Sequence, residues 1–158
     1  MRQLILSILF LGLSHFGAEV TFAQCTCSAT YRDITPHNEF KLADAVFIGK
    51  VIEITKTARD KDTNSYVETV RFKVSKAWKQ DLERFVIIRN KIQGCLNGFD
   101  ENEEWLVYAY KKQDGTLGTY CCCSRTRLLS EAAEDLKEFE EKGEPPAKIQ
   151  VHANEDEA

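Results

Sequence analysis

Ala45 to Thr55 reads AVFIGKVIEIT, and the character of this run decides the fold. β-Branched and aromatic residues dominate it, the composition of a buried strand. Gly49 lies inside it, where a glycine marks a bulge or the tight bend of a small barrel. Downstream, Arg59 to Ser65 is a charged loop. Val70, Phe72 and Val74 then alternate with Arg71, Lys73 and Ser75, the period of a half-buried strand, which ends at Trp78. Phe85 to Arg89 reads as a third strand. Glu104 to Lys111, with WLVYAY at its centre, reads as a fourth, and Leu117 to Cys123 as a fifth. Lys91 to Glu103 is a loop holding Gly94, Cys95 and Gly98, and Gln113-Asp114-Gly115 is a hairpin turn. Upstream of the first strand, Ser28 to Thr35 is polar and irregular, and Phe40 to Asp44 leads in from Pro36.

After the fifth strand the period changes. Leu128, Leu129, Ala132, Leu136 and Phe139 fall on one helical face, with Ser130 as the expected cap and Glu131 and Glu134 in the first turn. Gly143-Glu144-Pro145-Pro146 breaks that helix, and residues 143–158 read as an acidic disordered tail. Five strands and a C-terminal helix predict a mainly β domain, a five-stranded antiparallel OB-type barrel, because closure removes exposed edges.

Residues 1–23 read as a secretory signal peptide: Arg2, an apolar run from Leu4 to Leu13, and Thr21-Phe22-Ala23 as the cleavage site. The run is shorter than the ~20 apolar residues that span a bilayer, so no membrane span is expected in the mature chain, which is placed outside the cytoplasm, extracellular or periplasmic. Residues 24–142 form the expected domain. Six cysteines in an exported chain of this size read as a disulfide framework. With no Cys-x-x-Cys and three histidines, neither a resident metal nor another cofactor is expected. Cys25-Thr26-Cys27, at or next to the mature N-terminus, directs two side chains to opposite sides of an extended segment, so each can anchor to a different part of the domain.

Charge is uneven. Residues 24–130 carry 17 Lys+Arg against 14 Asp+Glu, and residues 131–158 carry 3 against 10. No basic stripe of the kind a nucleic-acid binder needs is evident in the sequence. No Ser/His/Asp constellation is visible, so no enzyme is expected. A thiol oxidoreductase acting through Cys121 to Cys123 lacks both a Cys-x-x-Cys and a βαβ pattern.

Cys-Thr-Cys at the mature start, Phe47-Ile48-Gly49-Lys50-Val51, Val74-Ser75-Lys76-Ala77-Trp78-Lys79, Cys95, Trp105-Leu106-Val107-Tyr108-Ala109 and Cys123-Ser124-Arg125-Thr126 follow one another ahead of the helix. Together they resemble the N-terminal, netrin-like OB-fold domain of the tissue inhibitors of metalloproteinases, over Cys25 to about Phe139. The chain departs from the family in three ways. The third cysteine pair of this domain is missing, with Lys41 where one member is expected; the second, cysteine-rich domain is absent; and Cys121 and Cys122 are extra. The extra pair could bond to each other, bridge two chains, or exchange with Cys123; free or intermolecular thiols are the expectation, since vicinal pairing is strained.

The resemblance implies disulfides Cys25–Cys95 and Cys27–Cys123, each worth roughly 4–5 kcal/mol in the chain-entropy account. It implies an inhibitor without a metal of its own. The free amine and carbonyl of Cys25 would chelate the catalytic zinc of a partner metalloprotease at the position that zinc keeps open. Thr26 would enter the adjoining specificity pocket, with Cys27, Ser28, Gln93 and Gly94 along the same ridge. Cleavage after Gln24 frees the Cys25 amine, whereas cleavage after Ala23 leaves Gln24 in front of it. In the second case the expectation shifts to a netrin-like extracytoplasmic module that binds a protein through its barrel without inhibiting a protease.

Overall fold

The computed structural model describes residues 34–94, 98–120 and 123–151. Residues 1–23, read as a signal peptide, Cys25 to Ser28, Cys95, Cys121, Cys122 and residues 152–158 lie outside them.

In chain order the elements are α1 (Pro36–Leu42), β1 (Ala45–Lys56), β2 (Tyr66–Lys79), β3 (Leu82–Glu83), β4 (Phe85–Ile92), β5 (Glu104–Lys111), β6 (Leu117–Gly118) and β7 (Arg127–Leu128). A 3-10 turn (Leu129–Glu131), α2 (Ala133–Glu141) and β8 (Ile149–Gln150) complete them. Neighbouring strands run β1-β2-β4-β6-β5, and β5 pairs back onto β1, so five strands close into an OB-type barrel. The barrel is mixed: β4 and β6 meet in parallel at Ile88 and Leu117, while β1–β2, β2–β4, β1–β5 and β5–β6 are antiparallel.

β1 serves two neighbours by bending. Its register with β2 shifts between Val46 and Phe47, between Ile48 and Gly49, and between Val51 and Glu53, each irregularity adding curvature. Gly49 falls at one shift, as expected, and its reason is steric. A Cβ there would stand 3.1 Å from the Phe72 Cβ and 3.1 Å from the Phe47 ring.

Two apolar clusters share β1 and β5. Phe47, Val51, Phe72, Ile88, Phe99, Trp105 and Val107 fill the barrel interior, where the rings of Phe72, Phe99 and Trp105 meet edge to face. Val46, Leu106 and Tyr108 point outward under the helices, against Phe40, Trp78, Ala132 and Phe139. Alternate residues of β5 thus enter opposite cores, which is why its sequence is a continuous apolar run.

Several local expectations are corrected. The segment before β1 contains α1, capped by Thr35 Oγ1 accepting from the Asn38 amide at 3.3 Å, with Pro36 in its first turn. The fifth barrel strand stops at Gly118: Thr119 leaves the ladder to bond Asn90, and Tyr120 turns onto the Tyr110 ring. Ser130 does not cap α2. It lies in the 3-10 turn, and α2 starts at Ala133 so that Asp135 faces Arg125. The chain beyond Gly143 is ordered as far as Val151: β8 lies parallel to β3, and the Leu82 and Arg84 amides donate to the carbonyls of Lys148 and Gln150. The alternation of Ala147 and Ile149, both set against the barrel cluster, holds a segment that the Pro-Pro break made look unstructured.

Candidate functional site

Of the six residues expected on the protease-contacting ridge, Gln93 and Gly94 are described; Cys25, Thr26, Cys27 and Ser28 are not. Gln93 and Gly94 follow the end of β4, exposed, immediately before Cys95. Gln93 donates its amide Nε2 to the Thr63 carbonyl at 3.2 Å, which ties the end of β4 to the tip of the β1–β2 hairpin. Gly94 has φ +119°, a conformation an L side chain resists.

The hairpin tip is pre-formed. Asp60 Oδ1 accepts from the amides of Asp62 (3.1 Å) and Thr63 (2.7 Å) and from the Thr63 hydroxyl (2.8 Å). The Thr63 amide and hydroxyl hold the Asp60 carboxyl below the usual carboxylate range. Arg59 donates to the Asn64 carbonyl at 2.7 Å and stacks over Tyr66. A loop that spends its polar groups on itself loses little entropy when a partner covers it.

Cys123, at the other expected anchor, is disulfide-bonded, and its partner falls outside the described residues. The chain after it is fixed by Arg125. That guanidinium grips Asp135 with two bonds, Nε to Oδ1 at 2.7 Å and Nη2 to Oδ2 at 2.9 Å. It also reaches Glu134 Oε2 at 2.6 Å and the Ile34 carbonyl at 3.1 Å. Tyr108 donates its hydroxyl to Asp135 Oδ1 at 2.6 Å, and Tyr110 donates to Glu39 Oε1. Thr126 bridges the Tyr108 amide and carbonyl. The strand-to-helix turn is therefore positioned by Arg125 and Thr126, with Arg125 paired to helix carboxylates.

Electrostatics mark this cluster. Asp135 and Glu39 are both fully buried. Burial pushes the Glu39 carboxyl above its usual range, against the opposing bond from Tyr110, and its Oε2 has no partner among the described residues. Burial and Asp135 push the Tyr108 phenol up, so it stays a donor. Asp135 raises the Arg125 guanidinium further, keeping it charged. The cluster joins α1, α2, β5 and the segment beside Cys123 into one rigid unit.

Sequence reasoning missed Glu39, because a carboxylate carries no sign of burial, and missed the Thr63 carbonyl, because a backbone acceptor leaves no trace in residue type. The Asp60-to-Thr63 spacing was a legible turn signal. Lys79 donates to the carbonyls of Phe40 and Lys41, both at 2.9 Å, and closes the end of α1. Among the described residues no three His, Cys, Asp or Glu gather to hold a metal, and no helix is long and apolar enough to cross a membrane. No protein-family model matches the chain, and no curated protein matches it.

Proposed function

We propose that the protein is a secreted inhibitor of zinc metalloproteases. It engages the protease cleft through Cys25-Thr26-Cys27 and Ser28, flanked by Gln93 and Gly94. The observation that carries the reading is the Gln93–Thr63 bond at 3.2 Å. It makes one ridge of the β1–β2 tip and the residues leading into Cys95, on a barrel of the type expected from the resemblance. The Cys25 amine, with a pKa of about 8 when free, loses its proton at modest cost on meeting zinc and forms a five-membered chelate with the adjacent carbonyl. Disulfides from Cys25 to Cys95 and from Cys27 to Cys123 hold that chelate ready. The protein supplies no catalytic group; it fills the zinc's open position.

N-terminal and intact-mass analysis of the exported, non-reduced protein tests the premise. A start at Cys25 with two bridges is the result this reading requires. A start at Gln24 would sink zinc chelation, because the amine then sits one residue away. Ala23 as the better cleavage residue favours a second reading on that outcome: a netrin-like extracytoplasmic module that binds a partner protein through the barrel.

A further inference from the structure

α1 and α2 cover the outside of β5 and the start of β1. Among the described residues nothing covers the outside of β2 and β4, and its composition is unlike the rest of this acidic chain. Val70, Phe72 and Val74 of β2 and Val86 and Ile88 of β4 enter the core, so Thr69, Arg71 and Lys73 and Phe85, Ile87, Arg89 and Lys91 face out. Register sets Arg71 opposite Ile87, Thr69 opposite Arg89 and Val67 opposite Lys91, and Lys50 on β1 opposite Lys73.

Five cations therefore share one face: Lys50, Arg71, Lys73, Arg89 and Lys91. Among the described residues none lies within ion-pair distance of a carboxylate, although the same chain pairs Lys56, Arg125, Lys137 and Lys142. Acids sit at the edges of this strip: Glu53 across from Arg71, Glu104 across from Lys50, Asp60 in the field of Lys91 and Asp114 in the field of Arg89. At the centre of the cations Ile87 is 52% exposed. It borders a groove of about 660 Å³ whose apolar wall includes Leu82, Phe85 and Leu117, with Asp81 and Glu83 also lining it. Unpaired charge costs little at a wet surface, but five like charges around an exposed isoleucine are a surface awaiting a partner of opposite sign.

We infer that this β2–β4 face binds an acidic peptide segment of a partner protein, with one apolar side chain seated at Ile87 and carboxylates over Arg71, Arg89 and Lys91. The proposal draws on none of Cys25 to Ser28, so it needs neither a free Cys25 amine nor a metalloprotease. Single-stranded nucleic acid fits less well, because it needs open aromatic faces. The one ring here, Phe85, is covered by the Arg71 guanidinium at 4.5 Å and by Arg84 at 5.7 Å. A sulfated polysaccharide would use the cations and leave Ile87 without a role.

The test uses the full exported chain and a short fluorescein-labelled peptide of glutamates around a central Leu-Leu pair, read by anisotropy. Binding should weaken at least about tenfold in a Lys73→Glu/Arg89→Glu double variant. It should weaken severalfold in Ile87→Ser, and to the same extent when serines replace the peptide's leucines. Thermal melts of both variants should match the parent, since all three side chains are exposed. Amide shifts in the unsubstituted protein should move on β2 and β4 on adding peptide, which keeps the test valid if a variant unfolds. Absence of binding, shifts confined to the Gln93 end, or heparin or oligo-dT binding more tightly than the peptide with no effect of Ile87→Ser would each overturn the assignment.

Discussion

Glu39 is the residue whose environment departs furthest from what its type prefers. It has no exposed surface, its Oε2 has no partner among the described residues, and burial raises its pKa. An unfolded glutamate titrates in the ordinary range, so between that range and the raised native value the folded state holds more protons than the unfolded one. Stability is then present in full at low pH and falls as pH rises through the native value. Glu39→Gln keeps an acceptor for Tyr110 and replaces the costly charge with an amide. Melting temperature measured against pH should rise for Glu39→Gln at neutral pH, with the gain shrinking as pH falls toward the usual glutamate range; equal melting curves across that span would contradict the burial account. Arg125 carries the opposite expectation. Arg125→Met leaves Asp135 buried without its cation and should cost about 3–5 kcal/mol in urea unfolding. Gly49→Ala forces a methyl against the Phe72 Cβ and should cost about 1–3 kcal/mol by the same measurement.

The elements show what in the sequence is readable and why. Glu104 to Lys111 was legible to the residue, because a strand buried on both faces must be apolar throughout and the core demands its full length. Ala45 to Thr55 was legible because its first half is buried on both faces and its second half keeps β-branched residues, and its glycine pointed correctly to a bend. α1 was not, because a seven-residue helix carrying a buried glutamate lacks a clean apolar period, and its only signals were Thr35 and Pro36. The end of the fifth strand was overextended, because Thr119 trades ladder pairing for the Asn90 side chain, which bonds it in both directions at 2.9 Å. β8 was hidden by the prolines before it. Its contribution is measurable: ending the chain at Gly143 removes two bonds to β3 and the burial of Ala147 and Ile149. Unfolding free energy should drop by about 1–2 kcal/mol on that truncation; no change would mean β8 rests on the barrel without holding it. Of the candidate ridge, Gln93 and Gly94 lie exposed after β4, while the loop that Gln93 bonds was seen only as charged.

At the scale of the molecule, the two proposed roles draw on different parts of the barrel. One end gathers the β1–β2 tip, Gln93, Gly94 and the approach to Cys95. The Arg125 cluster steadies the chain next to Cys123, which is disulfide-bonded, and the helices lock that cluster to β5. Among the described residues nothing covers the side of β2 and β4. An inhibitor benefits from this division, because rigidity at the ridge lowers the entropy lost on binding. The direct measurement is a titration of a zinc metalloprotease with exported protein shown by mass to begin at Cys25, before and after acetylation of its α-amine. The account predicts stoichiometric loss of proteolysis with the free amine and recovery of full activity when that amine is blocked. Undiminished proteolysis at excess protein with a free Cys25 would contradict it.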